Sequence, residues 1–168
     1  FDPRVIWPVQ DTVRRKGARP IVSKGGHAFM KDRMRRENAL FAGELSGHYY
    51  FRENFYADNG VIPFLLVLEH LSTQNKPFSE IMTTYTAGHY MSGELNYHVN
   101  DIKSVIGKVQ EKFHGEGQED FIDGYSLETP EWRFNIRGSN TEPLLRLNIE
   151  ARKEPLVDQI KKQIEEII

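Results

Sequence analysis

Apolar and polar positions along the chain change rhythm partway through. In the first half, short apolar stretches alternate with helical patterns: Val5–Trp7, a helix near Gln10–Lys16, and a strand over Arg19–Val22 after Gly17. A helix over about His27–Glu37 then leads into an apolar strand, Ala39–Gly43, and the chain enters Glu44-Leu45-Ser46-Gly47-His48. Asp58 or Asn59 caps a helix through Val61–His70 that is apolar nearly all round, as expected of a core helix, and a second helical pattern covers Phe78–Tyr85. Gly88 and Gly93 mark a linker. The second half predicts a strand over Glu94–Val99, a helix over Asp101–Phe113, three strands, and a closing amphipathic helix from Pro155 to Ile168. Trp132, Phe134 and Ile136 alternate on one strand and Leu145, Leu147 and Ile149 on the next, the period of half-buried strands, with arginines and asparagines between them.

This grammar is α/β followed by α+β, and 168 residues suffice for two small lobes. A formal net charge of -2 with interspersed signs gives no extended positive field, so no nucleic acid partner is expected. Val61–Leu68, the longest apolar run, is too short for a bilayer, so no membrane partner is expected either. Without cysteine, the chemistry rests on oxygen and nitrogen groups. The opening Phe1-Asp2-Pro3 suggests an excised or processed segment.

Three constellations carry candidate chemistry. Arg137-Gly138-Ser139-Asn140-Thr141-Glu142-Pro143 combines a fixed cation, hydroxyls and an amide, as an anion cradle for phosphate would. The same residues also suit an ordinary hairpin turn. Glu44, Ser46 and His48 offer an acceptor, a hydroxyl and a titratable imidazole, a set that suits sugar hydroxyls and equally a solvated loop. A metal pair or a hydrolase reading is weaker, because no HExxH or G-x-S-x-G pattern occurs. His27 follows Lys24-Gly25-Gly26 at a helix start, where an anion is favoured, and a local partner would explain it too. Lys31, one turn on, reads as a solvated charge.

Taken in order, Lys24-Gly25-Gly26-His27-Ala28-Phe29-Met30-Lys31, Gly43-Glu44-Leu45-Ser46-Gly47-His48 and Arg137-Gly138-Ser139-Asn140-Thr141 resemble the motifs of the α-D-phosphohexomutase superfamily. The Ser-Asn-Thr run resembles the phosphomannomutase/phosphoglucomutase branch. The resemblance implies an incomplete three-layer α/β sugar-binding domain at 1–87, the family's third, and a smaller α+β phosphate-binding domain at 88–168 with a sheet and two helices. By the same resemblance, Glu44 and Ser46 read sugar hydroxyls, with His27 and Lys31 as further substrate contacts. His48 lies near the reacting groups, and Arg137, Gly138, Ser139, Asn140 and Thr141 hold the nonreacting phosphate. It further implies a phosphohexose substrate, a hexose bisphosphate intermediate, a cytoplasmic setting, and missing amino-terminal domains that carry a phosphoserine and a magnesium loop. No metal ligands are expected in this chain, which alone would be inactive. The alternatives are a phosphoglucomutase fragment and a noncatalytic phosphosugar-binding module.

Overall fold

A computed structural model describes residues 1–139 and 142–168. By contact the chain forms two units: Phe1–Asp2 with Pro8–Ala87, and Pro3–Trp7 with Gly88–Ile168. The architecture is mixed α/β with one sheet in each unit.

In the first unit, helix α1 (Trp7–Arg15, its first residue in the second unit) and helix α2 (His27–Glu37) precede a small antiparallel sheet. That sheet comprises β1 (Phe41–Gly43), β2 (Tyr49–Phe51) and β3 (Ala57–Asp58), in that order. Met30 and Met34 of α2 pack with Ala42 and Tyr50 to make its core. Asn38 in the left-handed conformation ends α2, as the short polar side chain permits. Helices α3 (Val61–Thr73) and α4 (Phe78–Thr86) follow.

Three expectations change here. No strand forms over Val5–Trp7, because the Ile6 and Trp7 amides donate to the Glu150 carboxylate at 2.9 and 3.0 Å instead of to a ladder. None forms over Arg19–Val22 either; the Phe1 amino group donates to the Ile21 carbonyl and the Ser23 amide to the Phe1 carbonyl, without extending the sheet. The apolar helix expected in the core is exposed: Val61, Phe64, Leu65, Leu66, Val67 and Leu68 retain 45–64% of their accessible surface. An apolar pattern states what a helix can bury; the core of this small sheet is filled by α2.

The second unit is a five-stranded antiparallel sheet, β4 (Tyr90–His98), β8 (Leu144–Ala151), β7 (Trp132–Gly138), β6 (Tyr125–Glu128) and β5 (Gln118–Asp120), in that spatial order. Helices α5 (Ile102–Phe113) and α6 (Glu154–Glu165) cover one face. Asp101 caps α5 by accepting from the Ser104 amide. Strand β4 starts earlier than predicted, at Tyr90, because Gly93, at φ 69°, lies at a bulge inside the strand rather than before it.

Alternation along β7 and β8 places Phe134, Ile136, Leu145, Leu147 and Ile149 in the core with Val109, Phe113, Ile160 and Ile164. The opposite, polar face is buried as well, which alternation alone did not predict. There Arg133 pairs with Glu150, and its guanidinium donates to the carbonyls of Pro3 and Arg4. Trp7 adds a 2.7 Å hydrogen bond from its indole to Glu128, and Arg152 lies 4.4 Å over its ring. These contacts explain why Pro3–Trp7, read from sequence as part of the first domain, group with the second unit.

Removing one partner of a buried pair strands the other charge. Glu150→Ala should therefore lower the stability of the second unit by about 3–5 kcal/mol, while the double replacement Arg133→Met with Glu150→Leu should cost clearly less; urea denaturation of the three chains checks the order.

Candidate functional site

Each unit carries a polar cluster of its own. In the first, β1 and β2 are joined by a hairpin whose turn is closed by the Gly47 amide donating to the Glu44 carbonyl and the Glu44 amide donating to the His48 carbonyl, both at 2.9 Å. Gly47 holds φ 84°, a conformation costly for a side chain. The Leu45 amide donates to Asp2 at 2.8 Å, which pins the loop from the chain's first residues. Ser46 is exposed at the tip.

Glu44 is only 8% exposed, and both of its oxygens are engaged. Oε1 accepts from the Tyr50 hydroxyl at 2.5 Å and Oε2 from the Gly26 amide at 2.9 Å. Burial and the neighbouring Glu44 charge push the Tyr50 phenol well above its ordinary range, so it remains a donor at any physiological pH. A carboxylate has about four acceptor sites, so capacity for a further donor remains.

The Glu44–Gly26 hydrogen bond brings the start of α2, and with it His27, to the hairpin. The rings of His27 and His48 meet edge to face with centroids 4.5 Å apart. His48 Nδ1 lies 2.8 Å from Asp58 Oδ2, His27 Nε2 lies 3.7 Å from the same oxygen, and Asp58 Oδ1 accepts from the Tyr49 amide at 3.0 Å. Burial works to raise the Asp58 carboxyl, but the hydrogen bonds from His48 and the Tyr49 amide outweigh it, so the group titrates below its ordinary value. In neutral His48 this hydrogen-bond network favours the proton on Nδ1, which leaves Nε2 as a proton acceptor. Lys31 places its ammonium 5.9 Å from the Tyr50 ring centroid.

Asp58 is the residue that sequence reasoning missed as part of the site. It reads as a helix cap, but Asn59 caps α3, accepting from the Val61 and Ile62 amides at 2.9 Å each, which leaves Asp58 to the imidazoles. Two adjacent capping side chains before one helix were the available signal. Among the described residues, His27, His48 and Asp58 form a group of potential metal ligands, all within 4.8 Å, which the sequence reading did not foresee. Two imidazoles and one carboxylate do not fit magnesium, which prefers an octahedron of oxygens.

In the second unit, Arg137 is the last residue but one of β7 and lies opposite Arg146. It is buried at the strand end rather than displayed on a loop. Its Nη2 lies 3.6 Å from Glu94, which also faces Arg146 at 3.3 Å and Arg4 at 3.8 Å. One carboxylate is thus shared among three guanidinium groups, and the 3.6 Å contact is not a bidentate lock. Burial pulls the Arg137 pKa down, with Asp123 and Glu94 opposing and Arg4 and Arg146 adding to the fall. The Ser139 amide donates to the Leu144 carbonyl at 2.8 Å. Asn140 and Thr141 lie outside the described residues.

Comparison with known proteins places the chain in a family. Residues 4–87 match the phosphoglucomutase/phosphomannomutase alpha/beta/alpha domain III, and residues 94–167 match the C-terminal domain of the same family. The chain therefore belongs to the phosphoglucomutase/phosphomannomutase family. It is 42% identical over 163 residues to a phosphomannomutase of Escherichia coli, covering 96% of this chain and 36% of that protein. A phosphomannomutase of Vibrio cholerae is 45% identical over 157 residues, covering 90% and 33%. A crystal structure of a phosphoglucomutase/phosphomannomutase family protein from Burkholderia thailandensis superposes with a TM-score of 0.77 at 30% identity, over 95% of this chain and 34% of that one. The chain thus spans about a third of the length of these relatives. No described helix is long and apolar enough to cross a membrane.

Two substitutions test the first cluster. Tyr50→Phe removes a charge-assisted hydrogen bond from a buried carboxylate and should cost about 1.5–3 kcal/mol in urea denaturation. Because Asp58 titrates low in the folded state, its stabilising contribution is present above the unfolded carboxyl pKa and is lost as pH falls through the folded value. The stability gap between the wild-type chain and Asp58→Asn should therefore be widest above about pH 5 and shrink on acidification through that range; a gap independent of pH would contradict it.

Proposed function

We propose that this chain is the sugar- and phosphate-binding part of a phosphomannomutase, an intramolecular phosphotransferase that interconverts mannose 6-phosphate and mannose 1-phosphate through a bisphosphorylated intermediate. The reading rests on the match of both units to consecutive domains of one family, with relatives named phosphomannomutase covering almost the whole chain. The first unit supplies the hydroxyl contacts: Ser46 at the exposed hairpin tip, Glu44 through its remaining acceptor capacity, and His27 and Lys31 from α2. The second unit supplies the phosphate contact through Arg137, Gly138 and Ser139, together with Asn140 and Thr141.

His48 is the proton-transfer group, and Asp58 is a positioning residue. With Nδ1–H held by Asp58, Nε2 can take the proton of a sugar hydroxyl as its oxygen bonds to the phosphorus of the parent enzyme's phosphoserine and the serine oxygen–phosphorus bond breaks, with the serine oxygen leaving. In the reverse transfer the imidazolium returns the proton to the departing sugar oxygen, and the carboxylate stabilises that imidazolium in between. Because the bisphosphate turns round between the two transfers, the binding groups must accept either end of the sugar. Hydroxyl-reading side chains and a guanidinium that grips any phosphate meet that demand. The phosphoserine and magnesium loop belong to the rest of the parent enzyme, and the 168 residues alone bind without turnover.

Arg137 carries the sharpest test. Its replacement by methionine should weaken binding of mannose 1-phosphate and mannose 6-phosphate alike, each by roughly 10- to 150-fold, the loss of a charge-assisted contact worth about 1.5–3 kcal/mol. Calorimetric titration checks it: unchanged affinity for either ligand removes Arg137 from the phosphate site, and turnover by the isolated chain contradicts the division of labour.

A further inference from the structure

Three elements bring nitrogen and oxygen donors together in the first unit: the start of α2 carries His27, the hairpin after β1 carries His48, and β3 carries Asp58. One ring nitrogen from each histidine and one carboxylate oxygen lie within 4.8 Å of one another. We propose that these three side chains form a binding site for a borderline divalent cation, zinc in the first instance, which occupies the site in place of a sugar ligand.

The donor set decides the class of ion. Imidazole nitrogens suit zinc, nickel and copper, whereas magnesium and calcium take oxygens. Zinc–nitrogen bonds of about 2.0–2.1 Å put neighbouring ligands roughly 3.3 Å apart, so the 4.8 Å spread requires only modest convergence. The side chains have room to supply it, since His27 and His48 are 47% and 42% exposed. Asp58 needs no reorientation: the Tyr49 amide fixes Oδ1 at 3.0 Å, which directs Oδ2 towards both rings. A backbone donor that orients a ligating carboxylate is a common feature of built metal sites.

Three protein ligands leave a fourth position open to water, the arrangement of an accessible rather than a structural zinc site. Binding displaces the contact between His48 and Asp58 and occupies the imidazole needed for proton transfer. That consequence, unlike the cation site itself, rests on the functional reading above: zinc would then act as a competitive inhibitor.

The test is calorimetric titration of zinc chloride into the chelator-treated 168-residue chain, with His27→Ala and Asp58→Asn alongside. The expected result is one zinc ion per chain, at least tenfold weaker in each variant, and undisturbed by excess magnesium. Absence of binding, or binding that survives both substitutions, overturns the site. A repeat in saturating mannose 1-phosphate separates the two claims. Weakened zinc binding supports competition, whereas unchanged binding in a chain whose variants still lose zinc leaves the cation site standing and removes the sugar from these histidines.

Discussion

The arrangement of the first unit depends on one buried carboxylate. Glu44 accepts from the Tyr50 hydroxyl on β2 and from the Gly26 amide at the head of α2, and through those two contacts it fixes the helix start against the hairpin. A buried carboxylate must be satisfied to be tolerated, so the helix and the loop are held in one register rather than in a range of them. His27 and His48 meet because of it. The residue that the family resemblance assigns to sugar recognition is thus also the one that ties the start of α2 to β2. Its geometry would be the first to fail if its partners were removed.

The second unit uses a similar device on a larger scale. Glu150 and Arg133 form a buried pair on the sheet face opposite the hydrophobic core, and their remaining hydrogen-bonding capacity is spent on the backbone of Pro3–Trp7. Glu94 orders Arg4, Arg137 and Arg146 on the same unit at longer range. The two carboxylates differ in consequence. Both oxygens of Glu150 are engaged by backbone amides and Arg133, while Glu94 is shared among three guanidinium groups at 3.3–3.8 Å.

Periodicity made part of this legible in the sequence. The helix α5, the amphipathic stripe of α6 and the alternation of β7 and β8 appear in the structure close to where the pattern puts them, and α2 spans His27–Glu37 as predicted. What escaped was set by side chains far apart in sequence. Nothing near Ile6 announces that its amide will bond to Glu150, and nothing in the polar positions of β7 says that they will be covered. The apolar pattern of α3 was right about the helix and wrong about its burial, since a pattern records affinity for a partner and not the partner's presence. Asp58 was hidden by a neighbour with the same capping chemistry. The three candidate segments were proposed from residue type, but the contact of His48 with Asp58 emerged only when β2 and β3 paired.

The central claim is that the hairpin at Glu44–His48 and the turn at Arg137–Ser139 bind a phosphorylated hexose. Amide chemical-shift mapping of the isotopically labelled chain, titrated with mannose 1-phosphate, tests it most directly. The account predicts saturable shifts concentrated at Gly26–His27, Glu44–His48 and Arg137–Ser139, with inorganic phosphate reproducing only those in the last group. Shifts confined to other surfaces, or identical shifts with a neutral hexose and with phosphate alone, would contradict it.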